Sequence, residues 1–157
     1  MRFRYKLATV IRRIPFLMRI LYYMYRFIQP KYSVGVVGVV VNDAQEILLV
    51  EHVFHPKLPW GLPGGWIGHN EAPSITAQRE LQEELGLVVE VDALLLTKKT
   101  QYQHIDFAYL CIAKGDITAL SYELLQYAWF SRDNLPPLHS FHYHAIEATF
   151  ALIEVKE

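Results

Sequence analysis

Residues 64–87 read GGWIGHNEAPSITAQRELQEELGL, a glycine turn followed by carboxylates at helical spacing. Gly64 and Gly65 permit a tight backbone turn that a side chain would block. Pro73 suits a first helical position, and Gly86 suits a left-handed stop after Leu85. Together they predict a helix from about Pro73 to Leu85. On it Glu80, Glu83 and Glu84 stand three and four residues apart and share a face, while Ala77, Leu81 and Leu85 fall on a neighbouring face that can bury. Such carboxylates repel one another by a few tenths of a kcal/mol per pair, which Arg79 offsets only partly. A cation is the natural remedy, and hard oxygen ligands point to Mg²⁺ or Mn²⁺ as cofactor.

A solvated Glu-rich helix would carry the same charges, so the surrounding spacing decides. It runs Gly65, five residues, Glu71, seven residues, Arg79-Glu80-Leu81, one residue, Glu83-Glu84, one residue, Gly86-Leu87. Seven fixed identities at about one in twenty each match by chance on the order of once in a billion windows. The pattern resembles the complete Nudix box, and Trp60-Gly61-Leu62-Pro63-Gly64-Gly65 looks like the strand and turn that lead into it. The resemblance covers roughly Lys31 to the C-terminus.

The resemblance implies an α/β/α sandwich with a mixed β-sheet and hydrolysis of nucleoside diphosphates linked to another group. It implies metal ligation by Glu80, Glu83, Glu84 and the Gly64 carbonyl, and an Arg79 that orients a glutamate. Glu123, six residues before Trp129, stands where many relatives place a further glutamate that reaches the metal. Glu71 is a fixed box position with a structural role near the turn. One departure is Gly68, where relatives often carry a carboxylate; Asn70, at a frequent glycine position, can still adopt a left-handed turn.

The chain of 157 residues suits one domain with a sizeable core, and 52% hydrophobic with 20% charged residues places it among globular proteins. Its net charge of −1 hides a split: residues 1–42 hold eight Lys or Arg and no acid, against seven basic and sixteen acidic residues downstream. Cys111, in an apolar stretch, is the single cysteine, so no internal disulfide forms and a reducing, cytoplasmic setting is expected.

Residues 1–30 read as an arm of two short basic amphipathic helices around Pro15, preceding a catalytic domain over 31–157. Phe16 to Ile28 would be about 20 Å long, short of a bilayer core of roughly 30 Å, and its arginines break a secretory signal. Basic residues facing Phe, Leu, Ile, Met and Tyr suit peripheral contact with anionic lipid, and the same stripe suits packing on the domain or on a second subunit as a homodimer.

From Tyr32 the pattern turns to β. Val34 to Val41 and Glu46 to Val53 flank the turn Asn42-Asp43-Ala44-Gln45 and read as a hairpin. Leu87 to Leu96, Ile105 to Ala113 and Tyr127 to Phe130 read as further strands, and Tyr143 to Val155 as a helix.

Breaking a P–O–P link requires charge neutralisation on the equatorial oxygens and a water aimed in line. The candidate catalytic residues that the resemblance implies are Glu80, Arg79 and Glu123, with Glu80 or a later carboxylate orienting or deprotonating the water. Phe54, Trp66 and Tyr102 are candidate substrate-binding residues, with His55 and Phe107 further aromatics that stack or pack. Lys98 and Lys99 are either phosphate contacts or an exposed loop pair. His139, His142 and His144 lack the carboxylate or cysteine of a metal site and suit a loop running into a helix. The acidic body argues against nucleic acid as a partner, leaving a small nucleotide. The competing reading is a binding module of the same fold that recognises a nucleotide without turnover; isomerisation would want a more reactive cysteine than Cys111.

Overall fold

The computed structural model describes Tyr5, residues 15–100 and residues 102–156. By its contacts the chain divides into Met1–Lys31 and Tyr32–Glu157. In the first unit a helix, α1, spans Pro15–Ile28 and carries Arg19 and Arg26; the expected helix before Pro15 lies outside the described residues except for Tyr5. No helix among the described residues is long and apolar enough to cross a membrane.

The second unit runs β1 (Ser33–Val40), β2 (Ile47–His52), β3 (Trp60–Gly61), β4 (Gly64–Trp66), α2 (Pro73–Leu85), β5 (Val89–Lys99), β6 (His104–Ala113), β7 (Leu124–Phe130), a 3₁₀ turn (Arg132–Asn134) and α3 (Ser140–Lys156). Four strands pair in the order β4-β1-β6-β5 and three in the order β3-β2-β7. β1 runs parallel to β6, with Ser33 opposite His104 and Val40 opposite Cys111, and antiparallel to β4, so the four-stranded sheet is mixed.

β1 and β2 do not form the expected hairpin. The turn closes with Asn42 N–H to the Glu46 carbonyl at 3.0 Å, and Val41 bridges Ile47, but there the pairing ends. Both edges of β1 are already taken by β4 and β6, so β2 diverges into the other sheet and pairs with β7.

The near-continuous Val, Ile and Leu runs of β1 and β2 follow from burial on both faces. Alternate residues go to opposite sides. Val36, Val40, Leu48 and Val50 pack with Ala77, Leu81 and Leu85 of α2. Val39, Ile47 and Leu49 pack with Phe141, Ala145, Ile146 and Phe150 of α3. Helices on both faces of the strands make the expected α/β/α arrangement, and Phe107 packs against the first core rather than standing free. Leu81 is fully buried, so its replacement by Ala would cost about 2–5 kcal/mol.

Candidate active site

The acidic helix occupies the span read from sequence, Pro73–Leu85. Gly86 ends it with φ 61° and donates its N–H to the Gln82 carbonyl at 3.0 Å, while Leu87 N–H reaches the Leu81 carbonyl at 3.2 Å. This is the paired closure that satisfies the last carbonyls of a helix. The apolar stripe of Ala77, Leu81 and Leu85 anchors α2 in the core. The adjoining acidic face is thereby presented to the Gly64–Gly65 turn.

That turn is built for close approach. Gly64 has φ +154°, and a Cβ there would lie 2.7 Å from Val37 Cα. A Cβ on Gly65 would stand 2.5–2.7 Å from the Glu80 carboxylate, so the missing side chain is what lets Glu80 lie against the backbone. Gly64 N–H donates to Glu84 Oε2 at 3.0 Å.

Arg79 ties the turn to the helix. Its Nε and Nη2 donate to the two oxygens of Glu71 at 2.9 and 3.1 Å, a bidentate fork. Nη1 donates to Glu80 and to Glu83, each at 2.9 Å, and Nη2 also reaches the Trp66 carbonyl at 3.1 Å. Glu71 further accepts from Gly68 N–H and the Thr76 hydroxyl, both at 2.8 Å. The Arg79 fork first, then these two donors, hold the Glu71 carboxyl down at about 2. Asn70, with φ 59°, supplies the left-handed residue before Glu71.

Glu80, Glu83, Glu84 and Glu123 line one cleft of about 530 Å³ together with Gly64, Gly65, Phe54 and Trp66. Two candidate site residues stand outside it: Arg79 grips the acidic face from behind, and Tyr102 lines a neighbouring cleft with Trp66. Glu84 is only 7% exposed. Burial pushes it up to about 8, with Glu80, Glu123 and Glu83 adding repulsion against the favourable Gly64 N–H. Burial also raises Glu80, although Arg79 pulls it back.

The donor set suits a hard divalent cation: carboxylates on one wall, a glycine turn beside them, and a hydroxyl that lacks a partner. That hydroxyl is Ser121 Oγ, the buried side-chain oxygen without a hydrogen bond among the described residues, and Ser121 lines the same cleft. No three such groups among the described residues already converge on one ion-sized point. Arg79 Nη1 holds Glu80 and Glu83 through one oxygen each, Oε1 and Oε2 respectively, while both side chains line the cleft.

Sequence reasoning passed over Ser121, Tyr122 and His52, which complete the cleft. Ser121 is set by its N–H bond to the Glu84 carbonyl at 2.8 Å, and His52 by a strand bulge opposite Leu124. Neither contact has a local sequence signal. The His139, His142 and His144 run holds no metal cluster among the described residues.

A family model described as NUDIX domain matches residues 31–149. The chain belongs to the Nudix family. Among its relatives is a MutT-like protein of Streptomyces ambofaciens, 32% identical over 107 residues that make up 68% of this chain and 68% of that protein. The 8-oxo-dGDP phosphatase NUDT18 of Mus musculus is 30% identical over 106 residues, 64% of this Nudix chain and 33% of that longer protein. The crystal structure of a MutT NUDIX hydrolase from Burkholderia pseudomallei superposes with a TM-score of 0.67 at 28% identity, covering 76% of this chain and 98% of that one. With the family comes the enzyme class, a Nudix pyrophosphohydrolase, and its use of divalent metal.

Proposed function

We propose that this Nudix chain is a Mg²⁺-dependent hydrolase that cleaves the diphosphate linkage of a nucleoside diphosphate derivative by attack of water on phosphorus. The observation that carries the reading is the gathering of Glu80, Glu83, Glu84 and Glu123 around the Gly64–Gly65 turn in one open cleft. Glu83 and Glu84, with Glu80 and the Gly64 carbonyl, would hold the cation; when bound, it would neutralise the phosphate oxygens and favour an in-line approach.

The chain's own residues do the rest. Glu80 lies against Gly65 and has its proton affinity raised by burial, which fits it to accept the water proton as the new O–P bond forms and the anhydride P–O bond breaks. Arg79 positions Glu80 and Glu83 from behind, and Glu123 adds a carboxylate from the facing wall. Phe54 and Trp66, 68% and 64% exposed at the rim, offer flat apolar surface to the nucleoside or linked group, with Tyr102 in the adjoining cleft. The oxidised purine nucleotide in the name of one relative places such nucleotides among the first substrates to try.

A second reading, nucleotide binding without turnover, draws on the engagement of one oxygen each of Glu80 and Glu83 by Arg79 Nη1. One panel separates the two: the protein and its Glu84→Gln variant, with Mg²⁺, against nucleoside triphosphates, dinucleotides, nucleotide sugars and ADP-ribose in ¹⁸O-water. The hydrolase reading requires label in the phosphate product from the parent protein only. Binding without cleavage of the P–O–P link supports the second.

A further inference from the structure

Beside the acidic cleft lie two further clefts, of about 540 and 940 Å³, and His142 at the start of α3 lines both. Its ring is fixed on one edge. Leu62 N–H donates to His142 Nδ1 at 3.1 Å. A Cβ on Gly61 would meet Cε1 and Nδ1 of the same ring at 3.0 Å, so the glycine lets the imidazole seat against the strand backbone.

A nitrogen that accepts a hydrogen bond carries no proton, so in the neutral ring the proton sits on Nε2. His142 is kept neutral: burial, then the neighbouring His139, His52 and His55, lower it to about 4. Nε2 has no hydrogen-bond partner among the described residues, and it is not sealed, since the buried unpartnered side-chain atom among them is Ser121 Oγ. An available N–H therefore stands in the wall of a cleft whose other lining includes Phe54, Leu58 and Trp60, with Trp66 across the second cleft.

We propose that His142 is a specificity-determining residue, a donor of fixed tautomer that reads a carbonyl oxygen on the heteroaromatic base of the nucleotide substrate. The inference rests on the hydrolase reading and deepens it. Aromatic and aliphatic walls favour a planar ring, and the donor rejects an amino group presented at the same place, because two N–H groups then face each other. Protonation at Nε2 with Nδ1 committed to Leu62 is what distinguishes this role from a histidine that shares its proton freely.

The test uses nucleotide pairs that differ in a ring carbonyl: 8-oxo-dGTP with dGTP, and inosine triphosphate with purine riboside triphosphate. The full chain is expected to favour the carbonyl member of at least one pair by about tenfold in kcat/KM. His142→Asn keeps an acceptor for Leu62 N–H but ends short of the cleft, and His142→Phe fills the volume without a donor. Both should reduce the preference to within about twofold while turnover of the other member persists. Independently, ¹⁵N spectra of the parent protein should show His142 protonated on Nε2 at neutral pH and that resonance displaced by the preferred nucleotide. Equal turnover of both members of each pair, a preference that survives in both variants, or a proton on Nδ1 would overturn the inference while leaving the hydrolase reading intact. Turnover of no nucleotide at all would remove the hydrolase reading and this inference with it.

Discussion

The backbone N–H of Gly64 donates to Glu84 Oε2 at 3.0 Å and so joins the glycine turn to the most buried carboxylate of α2. Among the described residues no arginine or lysine shares that carboxylate, and Arg79 serves Glu71, Glu80 and Glu83 instead. A buried acid with one neutral donor and acidic neighbours is held largely protonated until a cation arrives.

Glu84→Gln should therefore fold well and fail in catalysis. The amide keeps the shape and the chance to accept from Gly64 N–H. Turnover is expected to fall at least about a hundredfold, roughly 2.7 kcal/mol of barrier, with the melting temperature at pH 7 in the absence of divalent metal unchanged or raised. Steady-state kinetics and calorimetry check the pair of outcomes.

The same group sets a pH dependence. Glu84 titrates near 8 in the fold against 4.5 unfolded, so between these values the native state binds more protons than the unfolded one. Its contribution is full below about 4.5 and is lost as pH rises toward 8, at up to about 1.4 kcal/mol per pH unit for one proton. Between pH 5 and 6.5 the depressed His142 has the opposite sign and offsets this loss, so metal-free protein should lose stability from about pH 6.5 to 8, and added Mg²⁺ should restore more of it at pH 8 than at pH 6.5. Denaturant titrations at both pH values, with and without the ion, provide the measurement; Glu84→Gln should flatten the dependence.

Glu71 carries the opposite sign. Its carboxyl is held at about 2 by the Arg79 fork, Gly68 N–H and Thr76, so its stabilisation is present above about 4.5 and vanishes as pH falls through 2. Glu71→Gln should lower the melting temperature at pH 7 and converge with the parent protein near pH 2. It should also lower kcat by about tenfold, because Arg79 loses the anchor that aims it at Glu80.

Gly65→Ala tests the close approach itself. The added methyl would sit 2.5–2.7 Å from the Glu80 carboxylate, which must then swing away from the turn. A drop of at least about a hundredfold in kcat with a stability loss of about 1 kcal/mol or less is expected, since the displaced group is a flexible side chain.

The helix bounds, its cap and its core face were all legible in the sequence because they depend on residues within a few turns of one another, whereas the resemblance implied that Arg79 orients a glutamate without saying which. The split of β1 from β2 was not, because it depends on β6, more than sixty residues away, taking the free edge of β1. Phe54, His55, Trp66 and Tyr102 were named from the sequence, but their gathering with His52 and His142 in the neighbouring clefts was hidden for the same reason. His52, Gly61 and His142 meet only when β2, β3 and α3 are assembled. Gly61 reads locally as part of the strand before the box, and its use as a seat for an imidazole has no sequence signature.

Titration of Mn²⁺ followed by its electron paramagnetic resonance signal tests the central claim most directly, because the free ion is counted apart from the bound. The parent protein should take up Mn²⁺ at neutral pH and be displaced by Mg²⁺. Glu83→Gln, at an exposed and structurally tolerant position, and Glu84→Gln should each weaken uptake at least about tenfold. Equal affinity in all three proteins would contradict the assignment of the α2 carboxylates to a cation site.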